Sequence, residues 1–162
     1  MEVTLLSSRE EDTLKIGRAL GEILVPGDVV ALTGELGAGK TIFCKGVGEA
    51  LGISPARIVS PSFTIVTEHR GGRVLFRHMD AYRLSSAREA EEIGLEEALE
   101  GEAVCAVEWA ERIGNLLPND CIRVTFLISD EHECGRRITV LAGEAPRFRA
   151  FASRIQPFAP GG

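Results

Sequence analysis

The sequence has no apolar run of the roughly 18 residues that a membrane-spanning helix needs. Its first residues also lack the apolar centre of a secretion leader. The chain is therefore expected to be cytoplasmic, with no membrane contact. The four cysteines, Cys44, Cys105, Cys121 and Cys134, form no Cys-x-x-Cys pair. His69, His78 and His132 stand at no ligand spacing. A zinc site or a disulfide framework is accordingly not expected, and the thiols read as free. Positive charge is also short: 18 Lys and Arg face 24 Asp and Glu, for a net charge of −6. That excludes a broad nonspecific grip on nucleic acid but leaves room for a local basic patch. Internal repeats and domain linkers are missing too. The 162 residues read as one domain, 1–156, with a Pro/Gly-rich tail, 157–162, expected to be flexible.

What is present centres on Gly34-Glu35-Leu36-Gly37-Ala38-Gly39-Lys40-Thr41, which fits G-x-x-x-x-G-K-[ST]. Glycines let such a loop turn tightly and aim successive amide N–H groups at phosphate oxygens. The helix that follows presents its positive end to the same anion. Lys40 is expected to reach the β- and γ-phosphates, and the Thr41 hydroxyl to ligate Mg²⁺. The surroundings suit the motif. Residues 29–33 are a short apolar run of buried-strand type, and 41–51 are helical in pattern, with Ile42, Val47, Ala50 and Leu51 as the buried stripe and Gly52 as the stop.

Other elements follow from periodicity and punctuation. Residues 3–6 read as a strand. Ser8 and Glu11 have capping-box spacing ahead of a helix running to about Leu24. An extended stretch at 65–68 and a returning strand at 74–79 flank Gly71-Gly72, a two-residue hairpin signal. An acidic helix at 87–99 is broken near Gly94. Residues 103–107 are continuously apolar. Strands at 122–128 and 137–141 flank a polar loop, 129–135, and a last helix covers 146–155. This alternation predicts an α/β protein: a three-layer P-loop NTPase fold with a mostly parallel central sheet and antiparallel hairpins.

A phosphate loop needs an acid to hold magnesium and direct water. In open α/β sheets ligands collect beyond the carboxyl ends of the strands. Glu108 ends the apolar strand, and Asp80 ends the mixed one. Each also has a plain reading, as a polar residue at a strand terminus or as a turn former. Residues 60–64 are either a polar connection or a nucleotide-sensing switch. Trp109 reads more often as a packing aromatic than as a recognition residue, but as the one tryptophan, next to a candidate metal ligand, it is expected to change its emission when Mg·ATP is added. The acids at 89, 91, 92, 96 and 97 form either a solvated face or a partner surface.

Four stretches together resemble the TsaE family: the loop at 34–41, Ser60-Pro61-Ser62-Phe63-Thr64, His78-Met79-Asp80-Ala81-Tyr82-Arg83-Leu84 and Val107-Glu108-Trp109-Ala110-Glu111. The resemblance runs from about Leu14 to Pro118. It implies a P-loop ATPase of tRNA threonylcarbamoyladenosine biosynthesis that binds ATP or ADP with Mg²⁺. It implies Thr41 and Glu108 at the metal, Asp80 near the metal or the attacking water, and Thr64 near the γ-phosphate. Glu10, Thr13 and Arg136 are candidates by position for holding adenine. The implied partners are TsaD and TsaB, which modify adenosine 37 of tRNA; this chain would meet tRNA only through them. Two rival readings stay open, a small-molecule or nucleoside kinase and a nucleotide sensor without turnover.

Overall fold

The structure is a computed structural model describing residues 1–129 and 135–161. The expected loop at 129–135 therefore lies mostly outside the described residues, as do His132, Cys134 and Gly162. Seven strands form one sheet: β1 (Glu2–Ser7), β2 (Val29–Thr33), β3 (Val66–His69), β4 (Phe76–Asp80), β5 (Val104–Glu108), β6 (Ile122–Ile128) and β7 (Arg136–Leu141), in the order β1-β7-β6-β2-β5-β4-β3. The four strands β6, β2, β5 and β4 are parallel, while β7 and β3 flank them antiparallel and β1 pairs antiparallel with β7 at the edge. The sheet is thus mixed and partly parallel, more evenly divided than the mostly parallel sheet expected. The reason is β1, which pairs with β7 along its whole length instead of entering the parallel set.

Both faces of β2 and β5 are buried, as their apolar runs require. Val30, Leu32, Val104 and Ala106 point to one core, shared with Ile16, Leu20, Phe43, Val47 and Phe151. Val29, Ala31, Cys105 and Val107 point to the other, shared with Leu84, Ala90, Leu95 and Leu99. The helices α1 (Glu10–Gly21), α2 (Lys40–Ala50) and α5 (Arg147–Arg154) therefore cover the first face. The short helices α3 (Ala87–Glu92) and α4 (Leu95–Leu99) cover the second. Gly94 joins α3 to α4 in the left-handed conformation, φ 75°, which accounts for the break read at that glycine.

Several local readings need correction. The α1 cap is not Ser8 with Glu11. Arg9 is the N-cap, and Asp12 closes the box, its Oδ2 accepting from the Ser8 and Arg9 amides at 3.1 Å each. Gly71-Gly72 is not a two-residue hairpin: pairing stops at His69↔Phe76, so residues 70–75 form a longer loop. There Gly72 lies against the Leu51 carbonyl, too close for any side chain. The buried stripe of α2 is Phe43, Cys44, Val47 and Leu51; Ile42 and Ala50 are only half-buried. A 3-10 turn at Gln156–Phe158 follows α5, and Phe158 leans on the core.

The contact that aims α2 is its crossing with α1. A Cβ on Gly46 would strike the Leu14 carbonyl and the Arg18 amide, and one on Gly17 would strike the Phe43 carbonyl. The two backbones touch with no side chain between them, so the position of α2 is fixed by α1. Gly46→Ala must push the helices apart. We expect a loss of about 1–3 kcal/mol, read as a lower melting temperature. An unchanged melt would mean that the crossing is looser than the structure draws it.

Candidate active site

The loop between β2 and α2 is built by glycines that no other residue could replace cheaply. Gly34 has φ 141°, and a side chain there would collide with the backbone of Phe126. Gly39, φ 102°, is the left-handed N-cap of α2. Backbone strain of this kind is cheap only for glycine. Lys40 follows as the first residue of α2, and its side chain folds back into the loop. The ammonium donates to the carbonyls of Gly34 at 2.5 Å and Glu35 at 2.8 Å. It also lies 4.1 Å from the centre of the Trp109 ring. Burial pushes the Lys40 pKa down, and Glu108, Glu111 and Asp80 pull it back up.

The acids arrive from the neighbouring strand ends. Asp80 and Glu108 are register partners on the parallel strands β4 and β5, so their side chains emerge side by side. The Thr41 hydroxyl reaches both Glu108 oxygens, at 2.9 and 3.0 Å. The His78 ring meets Glu108 Oε1 through Nε2 at 2.8 Å. Asp80 accepts from the Ser60 hydroxyl at 2.5 Å and the Tyr82 amide at 2.8 Å. One hydroxyl and two carboxylates converge beside the loop. All three supply hard oxygen donors, the set that suits Mg²⁺.

These groups line a cleft of about 410 Å³. Leu36, Gly37, Ala38, Gly39, Lys40, Thr41, Asp80, Glu108, Glu10 and Arg136 all border it, as do Ser60, Ser62, Tyr82 and Trp109. The other proposed residues stand back from it. Gly34 and Glu35 supply the carbonyls beneath Lys40. Thr13 is buried behind the loop, its hydroxyl 2.7 Å from that of Ser7. Thr64 is exposed, with its hydroxyl 3.4 Å from that of Thr67.

The residues 7–138 match the family described as "Threonylcarbamoyl adenosine biosynthesis protein TsaE". The chain belongs to the TsaE family. Its similarity to "tRNA threonylcarbamoyladenosine biosynthesis protein TsaE" of Bacillus subtilis is 43% identity over 82% of this chain and 80% of the relative. The protein of the same name from Treponema pallidum is 38% identical, over 83% of this chain and 97% of the relative. The crystal structure of YdiB from Bacillus subtilis superposes with a TM-score of 0.77 at 34% identity, over 97% of this chain and 95% of that one. None of the helices among the described residues is long and apolar enough to cross a membrane.

Two features of this TsaE site escaped the sequence. His78 shows no ligand spacing along the chain. In space its ligand atoms and those of Cys44 and Glu108 lie within 4.8 Å of one another. Burial pushes the Cys44 thiol well up, which keeps it protonated and a poor metal ligand. The available signal was strand alternation: His78 lies two residues before Asp80 and must share its face. The second is the turn at Trp109, whose place beside Glu108 was legible but whose contact with Lys40 was not. The residue sits at φ 57°, the left-handed region, where a bulky residue is uncommon. That turn carries its ring over Lys40 and to 4.9 Å from the Tyr82 ring. If Lys40 leaves the ring to meet phosphates, Trp109 emission must change. We expect a clear spectral response to Mg·ATP that is absent in Lys40→Ala. A silent tryptophan at saturating nucleotide would mean that the lysine stays parked.

Proposed function

We propose that this chain is a Mg²⁺-dependent ATPase, regulated by TsaD and TsaB, that serves tRNA threonylcarbamoyladenosine formation without being the transferase. The observation that carries this reading is the meeting of Thr41 from the phosphate loop with Glu108 from β5, next to Asp80. The combination of phosphate loop and strand-end acid is what a P-loop NTPase needs and what a simple anion site does not. The amides of residues 34–41 and the start of α2 would hold the phosphates of ATP or ADP. Lys40 would exchange its two loop carbonyls for phosphate oxygens. Thr41 and Glu108 would hold Mg²⁺, which when bound neutralises charge developing on the phosphates. Asp80, fixed by Ser60 and the Tyr82 amide, is oriented to touch the metal or to position water.

The partners enter through what the cleft lacks. Among the described residues bordering it, Arg136 is the one arginine. An arginine supplied in trans to a P-loop site is worth roughly 10³–10⁵ in rate. Hydrolysis by the chain alone is therefore expected to be slow. Any effect on tRNA passes through the partners, consistent with the net charge of −6. The kinase reading would need a closing, arginine-bearing lid. Arg83 instead lies 4.1 Å over the Phe63 ring, and Arg88 pairs with Glu92.

The test measures ADP release with and without TsaD–TsaB, together with co-sedimentation under ATP, ADP and no nucleotide. Turnover that rises several-fold with the partners, and association that depends on nucleotide, are expected. Reciprocity then requires the partners to tighten ATP binding by the same factor. Fast turnover by the lone chain, indifferent to the partners, would overturn a regulated ATPase. Phosphate transfer to a nucleoside in place of water would put the kinase reading first.

A further inference from the structure

We infer that His78 is a positioning residue whose Nε2–H holds the Glu108 carboxylate in the pose that serves magnesium. This rests on the ATPase reading and adds a residue to it. The register explains how the two meet. His78 pairs with Ala106 across β4 and β5, and Glu108 lies two residues beyond Ala106 on the same face. The small alanine leaves room for the imidazole to lean along the strand to Glu108, 2.8 Å away. An ionised carboxylate only accepts hydrogen bonds, so Nε2 carries the proton.

The surroundings of His78 say why an imidazole is there. The ring is fully buried and stacks on Phe76 at 6.2 Å with 12° between planes. Its other nitrogen, Nδ1, is buried and makes no hydrogen bond among the described residues. A phenyl ring would fill this space and leave no polar atom unpaired, which is the cheaper choice for a core. The bond to Glu108 is what the imidazole provides in return. That bond matters most once the site is loaded. In the resting site the Glu108 carboxylate has two side-chain partners among the described residues, Thr41 and His78. With the Thr41 hydroxyl given over to a metal, His78 would be the side chain left to orient the carboxylate.

Two variants separate this role from packing. His78→Gln can place an amide N–H near the position of Nε2. His78→Phe keeps the ring and the stack but cannot donate. Magnesium is titrated against a fixed ADP concentration with Trp109 emission as the readout, and turnover is measured on the same samples. In His78→Phe we expect the magnesium half-saturation to rise about tenfold or more and kcat to fall by a similar factor. ADP affinity in EDTA should stay unchanged, because the loop amides and Lys40 do not involve His78. His78→Gln should recover to within about threefold of wild type. A packing role predicts the reverse order, with Phe equal to or better than Gln, and that result would overturn the inference. The nucleotide-free protein supplies an independent reading. Its long-range ¹H–¹⁵N spectrum should show His78 protonated at Nε2, with that proton shifted in Glu108→Gln. A proton at Nδ1 instead removes the proposed bond. If wild type shows no magnesium-dependent nucleotide response at all, the ATPase reading falls, and the imidazole spectrum still decides whether His78 holds Glu108.

Discussion

Lys40→Ala is expected to lose roughly 30- to 1000-fold in affinity for ATP, and nearly as much for ADP. A charge-assisted hydrogen bond is worth about 1.5–3 kcal/mol, and more where water is excluded. Lys40 is 4% exposed, so its ammonium is largely desolvated before any ligand arrives. The resting contacts to the Gly34 and Glu35 carbonyls keep that buried charge satisfied at 2.5 and 2.8 Å. They also keep it within reach of the cleft it borders. Removing the side chain therefore does two things. It deletes the phosphate contact, and it leaves two loop carbonyls without their donor, so the 34–41 loop loosens. Thr41→Ala removes a different part. It should weaken binding chiefly when magnesium is present, because the hydroxyl faces Glu108 rather than the loop interior. Calorimetry with ATP in magnesium and in EDTA distinguishes the two variants. Unchanged affinity in Lys40→Ala under both conditions would remove the phosphate-loop assignment.

How much of this site could be read in advance depends on the range of the interaction concerned. The loop itself was legible because each of its positions has a local job: Gly39 must take a left-handed turn, and Lys40 must start a helix. Glu108 and Asp80 were legible because a strand end is visible as the end of an apolar run. That they are register partners on adjacent strands was not, since it requires β4 beside β5, which only the assembled sheet supplies. His78 escaped for the same reason. Its partner is 30 residues away, and strand alternation puts it on the face of Asp80 without naming that partner. The α2 stripe was misjudged at Ile42 and Ala50 because α1 crosses at Gly46, letting a glycine occupy the contact where a larger residue would be expected. At β1 the strand was foreseen but its antiparallel partner, β7, was not. Pairing between the two ends of a chain is the least local contact a fold can make.

Glu108→Gln is expected to abolish most turnover and at the same time to stabilise the nucleotide-free protein. The two effects have one cause. Asp80 and Glu108 leave adjacent strands as register partners, which sets two carboxylates side by side in a buried site. Like charges opposite one another are destabilising. Lys40 offsets part of this, being attracted to both acids. The arrangement would become favourable if the two acids held a divalent cation. Glutamine has nearly the shape of glutamate. Its carbonyl can accept from His78 and its amide can donate to the Thr41 hydroxyl, so no buried polar group is orphaned. The free protein should then gain up to about 1–2 kcal/mol from the lost repulsion, read as a rise of roughly 2–4 °C in melting temperature for each kcal/mol. Turnover should fall about 100-fold or more, since a misplaced metal or phosphate can cost that much. Magnesium and ADP together should raise the melting temperature of wild type far more than that of the variant. The decisive observation is the pairing of signs. A variant that melts lower than wild type yet hydrolyses ATP normally would make Glu108 a structural residue at a strand end, and the metal would have to be sought at Asp80 alone.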